Sequence, residues 1–138
     1  MSNRSSRVAA LRPAAHAVLR IAAGLLFMHH GLQKLFGVLG GFGGTPGASA
    51  PLMSLMGLAG VLEFGGGLLI AAGFFTRPVA VLLLGEMLTA FFMAHFPGGG
   101  WPIENQGELA LVYAAIWAFL AAHGAGIWSV DAVLNKRR

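Results

Sequence analysis

Of the 138 residues, 57% are apolar and only 10% are charged, and the mean hydropathy is +0.74; a soluble domain of this size carries charge on roughly a quarter of its residues, so lipid must cover most of this chain. The formal net charge of +4 and the pI near 10.8 do not indicate a nucleic-acid partner, because the cations sit at the chain tips and one short connection, with no basic face interleaved with aromatics. The absence of cysteine excludes disulfides, thiolate metal sites and a thiol relay, so redox chemistry would need a bound cofactor, a metal held by His and carboxylate, or a partner protein.

Residues 1–13 form a polar, basic amino terminus with Arg4, Arg7 and Arg12. An apolar run then spans 14–36. It exceeds the roughly 7–15 residues of a secretory signal core and is followed by no clear Ala-x-Ala cleavage site, so it is read as the first membrane helix. The segment 37–51, GVLGGFGGTPGASAP, has the glycine and proline content of a loop. A second helix is expected over 52–74. Pro78 favours a helix start and disfavours helix at the residue before it, so the third is expected over 78–96. The glycine- and proline-rich segment 97–102 ends it, and a fourth helix is expected over 105–123. Residues 124–138 form a tail in which WSVDAVL (128–134) suits a short interfacial helix anchored by Trp128.

Each span has about 19–23 residues, enough at 1.5 Å per residue for a hydrocarbon core of about 30 Å. The expected fold is all-α: an antiparallel four-helix bundle in a membrane, occupying 14–123. Glycine, with 21 residues, is about twice its usual share and falls within the apolar runs, where it lets helix backbones approach closely. Orientation follows from the distribution of Lys and Arg. With both ends in the cytoplasm, every cation except Lys34 falls on the cytoplasmic side.

Ionisable residues within spans are costly, by about 2.5–3.5 kcal/mol at a helix centre, and so are candidates for function. Glu63, Glu86 and Glu108 lie in the second, third and fourth spans, and His29 and His30 in the first. In an antiparallel bundle His29, His30, Gln33, Lys34, His95, Asn105 and Glu108 share the outer half, with Glu63 and Glu86 below them. The expected pocket opens towards that half. Such a set suits a proton relay, the polar end of a quinone pocket, or a transition-metal site, although no Glu-x-x-His pair marks a di-iron centre. Against these stands a structural reading in which Glu63 and Glu86 are protonated and serve as interhelical hydrogen-bond glue.

His29 and His30 are about 100° apart on the helix, so one of them faces inward, and His30 is slightly favoured. Haem would need His29 or His30 together with His95. His16 and His123 fall at helix ends, where a cation complements the dipole. Phe27, Phe64, Phe91, Phe92, Trp101, Tyr113 and Trp117 suit a quinone ring as stacking partners, but core or interfacial packing is the commoner role of aromatics in spans. Gly65 to Gly67 lack the preceding strand and the lysine of a phosphate loop and read as close packing.

Five segments carry a family resemblance: GLLFMHHGLQKLFG (24–37), EFGGGLLIAAGFFTRPVA (63–80), EMLTA (86–90), NQGELALVY (105–113) and WSVD (128–131). In these the chain resembles the DoxX family of small bacterial membrane proteins, over nearly its whole length and in order. The resemblance implies a four-helix protein of the inner membrane, linked to quinone chemistry and to a soluble or membrane oxidoreductase partner. The positions matching the family pattern are His30, Lys34, Glu63, Glu86, His95, Asn105 and Glu108, without an assigned catalytic residue. A small-solute or proton-coupled permease and a non-catalytic assembly partner are the alternative functions. His29 beside His30 departs from a pattern in which one imidazole precedes glycine.

Overall fold

The computed structural model describes residues 2–137, whose regular structure is all helical, with no strand among those residues. Met1 and Arg138 lie outside the described residues, as does the Arg4 side chain. Helix α1 runs Ser2–Phe36, α2 Leu55–Ala72 and α3 Thr76–Gly98, α4 Pro102–Asn105, α5 Glu108–His123 and α6 Val130–Asn135. Three of these, α1 to α3, are long and apolar enough to cross a membrane, while α5 is apolar but shorter. Together they make a four-helix membrane bundle, with α4 and α6 as short pieces at opposite ends.

Local chemistry explains the boundaries. Helix α1 starts well before the expected residue 14, because strong helix formers such as Ala9, Ala10, Leu11 and Arg12 carry it through Pro13. It stops where Gly37 turns left-handed (φ +67°). Ser54 caps α2 by accepting the Gly57 N–H at 3.1 Å. That helix ends in a Schellman turn: Gly73 is left-handed, its N–H donates to Ile70 O, and Phe74 N–H donates to Leu69 O. The cap of α3 comes from far along the chain, where the Asp131 carboxylate accepts from Phe75 N and Thr76 N, both at 3.0 Å. The fourth span starts at Glu108 rather than 105 because Gln106 is left-handed (φ 60°) and separates α4 from α5.

The helices pack as two antiparallel pairs, α1 with α2 and α3 with α5. Glycine makes the first contact tight. A Cβ added to Gly24 would lie 2.6 Å from Ala71 N, one added to Gly67 would lie 2.6 Å from Gly24 O, and one on Gly31 would collide with the backbone of Phe64 and Gly60. The pairs meet on a buried core that includes Phe27, Ile70, Leu83, Trp117 and Leu120. The outward faces carry exposed Leu25, Leu26, Leu68, Val81, Leu82, Phe92 and Val112, as lipid contact requires. One end of the bundle holds segments 37–54 and 99–107 and is called here the loop end. The other holds the α2–α3 turn and residues 124–137, and is called the tail end.

Candidate functional site: an intramembrane ion pair between two cavities

Towards the loop end, Lys34 of α1 reaches across to Glu63 of α2. Its Nζ donates to both carboxylate oxygens at 2.6 Å, and the Glu63 side chain is only 6% exposed. The positioning is local. Glu63 lies in a π-helical stretch, Leu62–Gly66, a widened turn that shifts side-chain direction and occurs often at functional sites. The Gly31 and Gly60 contacts hold the two backbones close enough for the pair to form.

Two cavities adjoin this pair, and Lys34, Glu63, Met87 and Ala90 line both. The larger, about 550 Å³, is a cleft between α2 and α3. Its walls are almost entirely hydrocarbon, and exposed Leu55, Leu58, Val81, Leu82 and Met93 rim it, so it faces lipid. Glu86 lines this cleft, and neither of its buried carboxyl oxygens has a hydrogen-bond partner among the described residues. Thr89, also in the wall, bonds back to Gly85 O at 2.8 Å.

The smaller cavity, about 300 Å³, lies among α1, α2, α3 and α5 and is lined by Phe27, His30, His95, Gln106 and Tyr113 besides the shared residues. The His30 and Tyr113 rings are perpendicular, with centroids 6.1 Å apart. His95 sits in a second π-helical stretch, Phe91–His95. Its Nδ1 lies 3.1 Å from Asn105 O. A carbonyl only accepts, so Nδ1 carries the proton and a neutral His95 keeps its lone pair on Nε2.

The residues expected to form a site thus divide. His30, Lys34, Glu63, Glu86 and His95 line the two cavities. Asn105 and Glu108 do neither. Asn105 holds its own loop, donating to Gly99 O at 2.7 Å and accepting from Gly107 N at 2.8 Å. Glu108, the first residue of α5, is exposed, because the left-handed Gln106 sets the helix start and turns that position outward. His29 is exposed as well. No three His, Asp or Glu side chains among the described residues gather as a metal ion would require.

Sequence reasoning treated Arg20 only as a topological charge. It is 0% exposed and donates to five backbone carbonyls: Ala125, Ile70, Ala71, Ile127 and Trp128. The signal was available, since an arginine seven positions inside an apolar run is itself an intramembrane charge. A third cavity, about 540 Å³, lies at this tail end. The charged groups in its wall are engaged, Arg77 with Ala121 O and Ala122 O, and Asp131 with the start of α3.

Comparison with known proteins agrees with this architecture. The DoxX family model matches residues 15–96. An uncharacterised protein of Haemophilus influenzae is 38% identical, over 91% of this chain and 95% of its own. Inner membrane protein YqjF of Escherichia coli is 36% identical, over 87% of this chain and 92% of its own. An uncharacterised membrane protein of Mycobacterium tuberculosis, Rv3486, is 31% identical, over 86% and 80% respectively. No solved structure gives a significant match. With both the family match and relatives of this coverage, the chain belongs to the DoxX family.

Proposed function

We propose that this protein is a redox-associated subunit of the bacterial inner membrane that holds a quinone, or a comparable lipid-soluble ligand with a polar head, in the α2–α3 cleft. One observation carries the reading: a lipid-facing apolar cleft of about 550 Å³ ends at the Lys34–Glu63 pair and the unpartnered Glu86 carboxyl. Ligand sites commonly combine apolar walls with a few convergent polar groups. Lys34 would donate to a quinone carbonyl, and Glu86 would accept from a quinol hydroxyl or, when protonated, donate to a quinone oxygen. Bound quinone would supply two-electron, two-proton chemistry, and a partner oxidoreductase would supply the electrons.

Membership of the inner membrane is supported by the names of the Escherichia coli relatives. Arg7, Arg12, Arg77, Lys136 and Arg137 belong to the tail end and Lys34 to the other half, which supports cytoplasmic termini and a loop end on the outer face. The permease alternative has less support, because a route to the tail end would have to pass Phe27, Ile70, Leu83, Trp117 and Leu120, none more than 1% exposed.

The test uses dicyclohexylcarbodiimide, a lipid-soluble reagent for protonated carboxyls in apolar surroundings. Labelling of Glu86 in detergent-solubilised protein, followed by peptide mass spectrometry, is expected to fall several-fold when decylubiquinone is added. Labelling that is unchanged at saturating decylubiquinone removes the quinone reading.

A further inference from the structure

We infer that the smaller cavity is a one-sided proton path between the α2–α3 cleft and water at the loop end, with Glu63 as the group that passes protons across. The inference rests on the ligand-binding reading of the cleft for its purpose, but not for its geometry. Glu63 is the one carboxylate that lines both cavities. The groups facing it are Lys34 and His30 from α1, Glu86 and His95 from α3, and Tyr113 from α5. Each of these side chains is ionisable, and each lines one or other of the two cavities that share Glu63.

The outer end is defined by loop-end residues. His95 lines this cavity beside Gln106, which is exposed at the loop end. Because Asn105 O holds the Nδ1 proton of His95, Nε2 is the atom that receives a proton from water. A cavity of about 300 Å³ has room for several waters between such groups. The inner end is closed. Beyond His30 and Tyr113, towards the tail end, Phe27 and Trp117 pack edge to face at 5.1 Å, and Ile70, Leu83, Leu120 and Arg20 are 0% exposed. The exchangeable side chains in that layer are Arg20, whose donors are held by carbonyls, and Trp117, whose indole N–H is a donor only and has no acceptor through which a proton could be relayed. A proton taken from loop-end water therefore reaches Glu63, then Glu86 or a ligand head in the cleft, and returns the same way.

The experiment is time-resolved infrared spectroscopy of unliganded protein in oriented, sealed proteoliposomes, following the carboxyl C=O band after a pH jump. Glu63→Gln and Glu86→Gln assign the band. Two variants address the path: Ala94→Trp, which narrows the cavity from an exposed position in its wall, and His30→Phe combined with Tyr113→Phe, which removes two exchangeable groups. The expected result is a rapid response to a jump at the loop end, slowed at least ten-fold in one or both variants, with no comparably fast response to a jump at the tail end. Wild-type rates in both variants, or an equally fast response from the tail end, overturn the inference. Quinone protection of Glu86, measured on the same preparations, reports ligand binding independently of proton exchange. Its loss from wild-type protein with exchange intact would remove the ligand reading and leave the path standing.

Discussion

Helix α1 carries two intramembrane cations, and the protein treats them in opposite ways. Arg20, towards the tail end, is 0% exposed and donates to five carbonyls drawn from the end of α2 and from residues 125–128. Its planar fork directs the charge to the open end of α2 and to the tail, serving Ile70 O, which also accepts from Gly73 N, together with four further carbonyls. Lys34, towards the loop end, has a single carboxylate partner, Glu63, with a cavity on either side and an unpartnered Glu86 carboxyl in the same cleft. A buried charge is therefore not by itself a sign of function. What distinguishes the two is how completely the protein satisfies the charge and what space it leaves beside it.

The comparison can be broken most forcefully at Arg20. Arg20→Met would remove the charged donor from five carbonyls of α2 and the tail, of which Ile70 O keeps the Gly73 N–H, and charge-assisted hydrogen bonds contribute about 1.5–3 kcal/mol each, so a loss of about 4 kcal/mol or more is expected, read as a collapse of the unfolding temperature in detergent. Arg20→Lys should not restore it, because an ammonium cannot reproduce the fork. Lys34→Met comes next: it leaves the Glu63 carboxylate alone in apolar surroundings, a change that costs about 3 kcal/mol in buried pairs, unless Glu63 takes up a proton. Thermal unfolding of Lys34→Met with and without Glu63→Leu separates the two situations.

Smaller effects sharpen the contrast. Gly31→Leu would drive a side chain into the Phe64 and Gly60 backbone, and overpacking of this kind costs about 1–3 kcal/mol. The same change should also weaken ligand protection of Glu86, because separating α1 from α2 pulls Lys34 away from Glu63. Glu86→Gln should alter stability by less than about 1 kcal/mol, since the carboxyl has no partner to lose, yet it should abolish carbodiimide labelling at that position. Glu108→Gln, at an exposed position, should change neither stability nor quinone protection, within about 0.5 kcal/mol. A strong functional loss there would show that the cavities have been drawn too narrowly.

The spans were legible because a membrane helix is announced by its composition, with glycine and proline punctuating it at Gly37, Pro78 and Pro97, although the second helix ends at the left-handed Gly73 rather than at 74. Glu63 and Glu86 were equally visible, since a carboxylate inside an apolar run stands out whatever the tertiary structure. Their relation to Lys34 was not visible, because the span positions put Lys34 in the outer half and the two carboxyls below it, whereas Lys34 reaches Glu63 directly. The pairing depends on the π-helical turn at Leu62–Gly66 and on the close α1–α2 approach, neither of which has a fixed local signature. The Asn105–Glu108 segment misled because NQGE reads as a helix start, whereas the left-handed Gln106 splits it. Arg20 was undervalued for a different reason: its partners are backbone carbonyls from distant segments, and backbone groups are invisible to residue-type reasoning. The same holds for Asp131, whose role as the cap of α3 depends on the tail folding back across 55 positions.

The most direct test of the central claim, that the Lys34–Glu63 pair serves a ligand rather than the fold, is to measure unfolding temperature and decylubiquinone affinity on one preparation of the double variant Lys34→Met, Glu63→Leu. Replacing a buried ion pair by apolar residues of similar size is often neutral or stabilising, so the unfolding temperature should match or exceed that of the wild type while affinity falls at least ten-fold. A double variant that binds decylubiquinone as the wild type does, or one that loses its fold as Arg20→Met is expected to, would contradict the account.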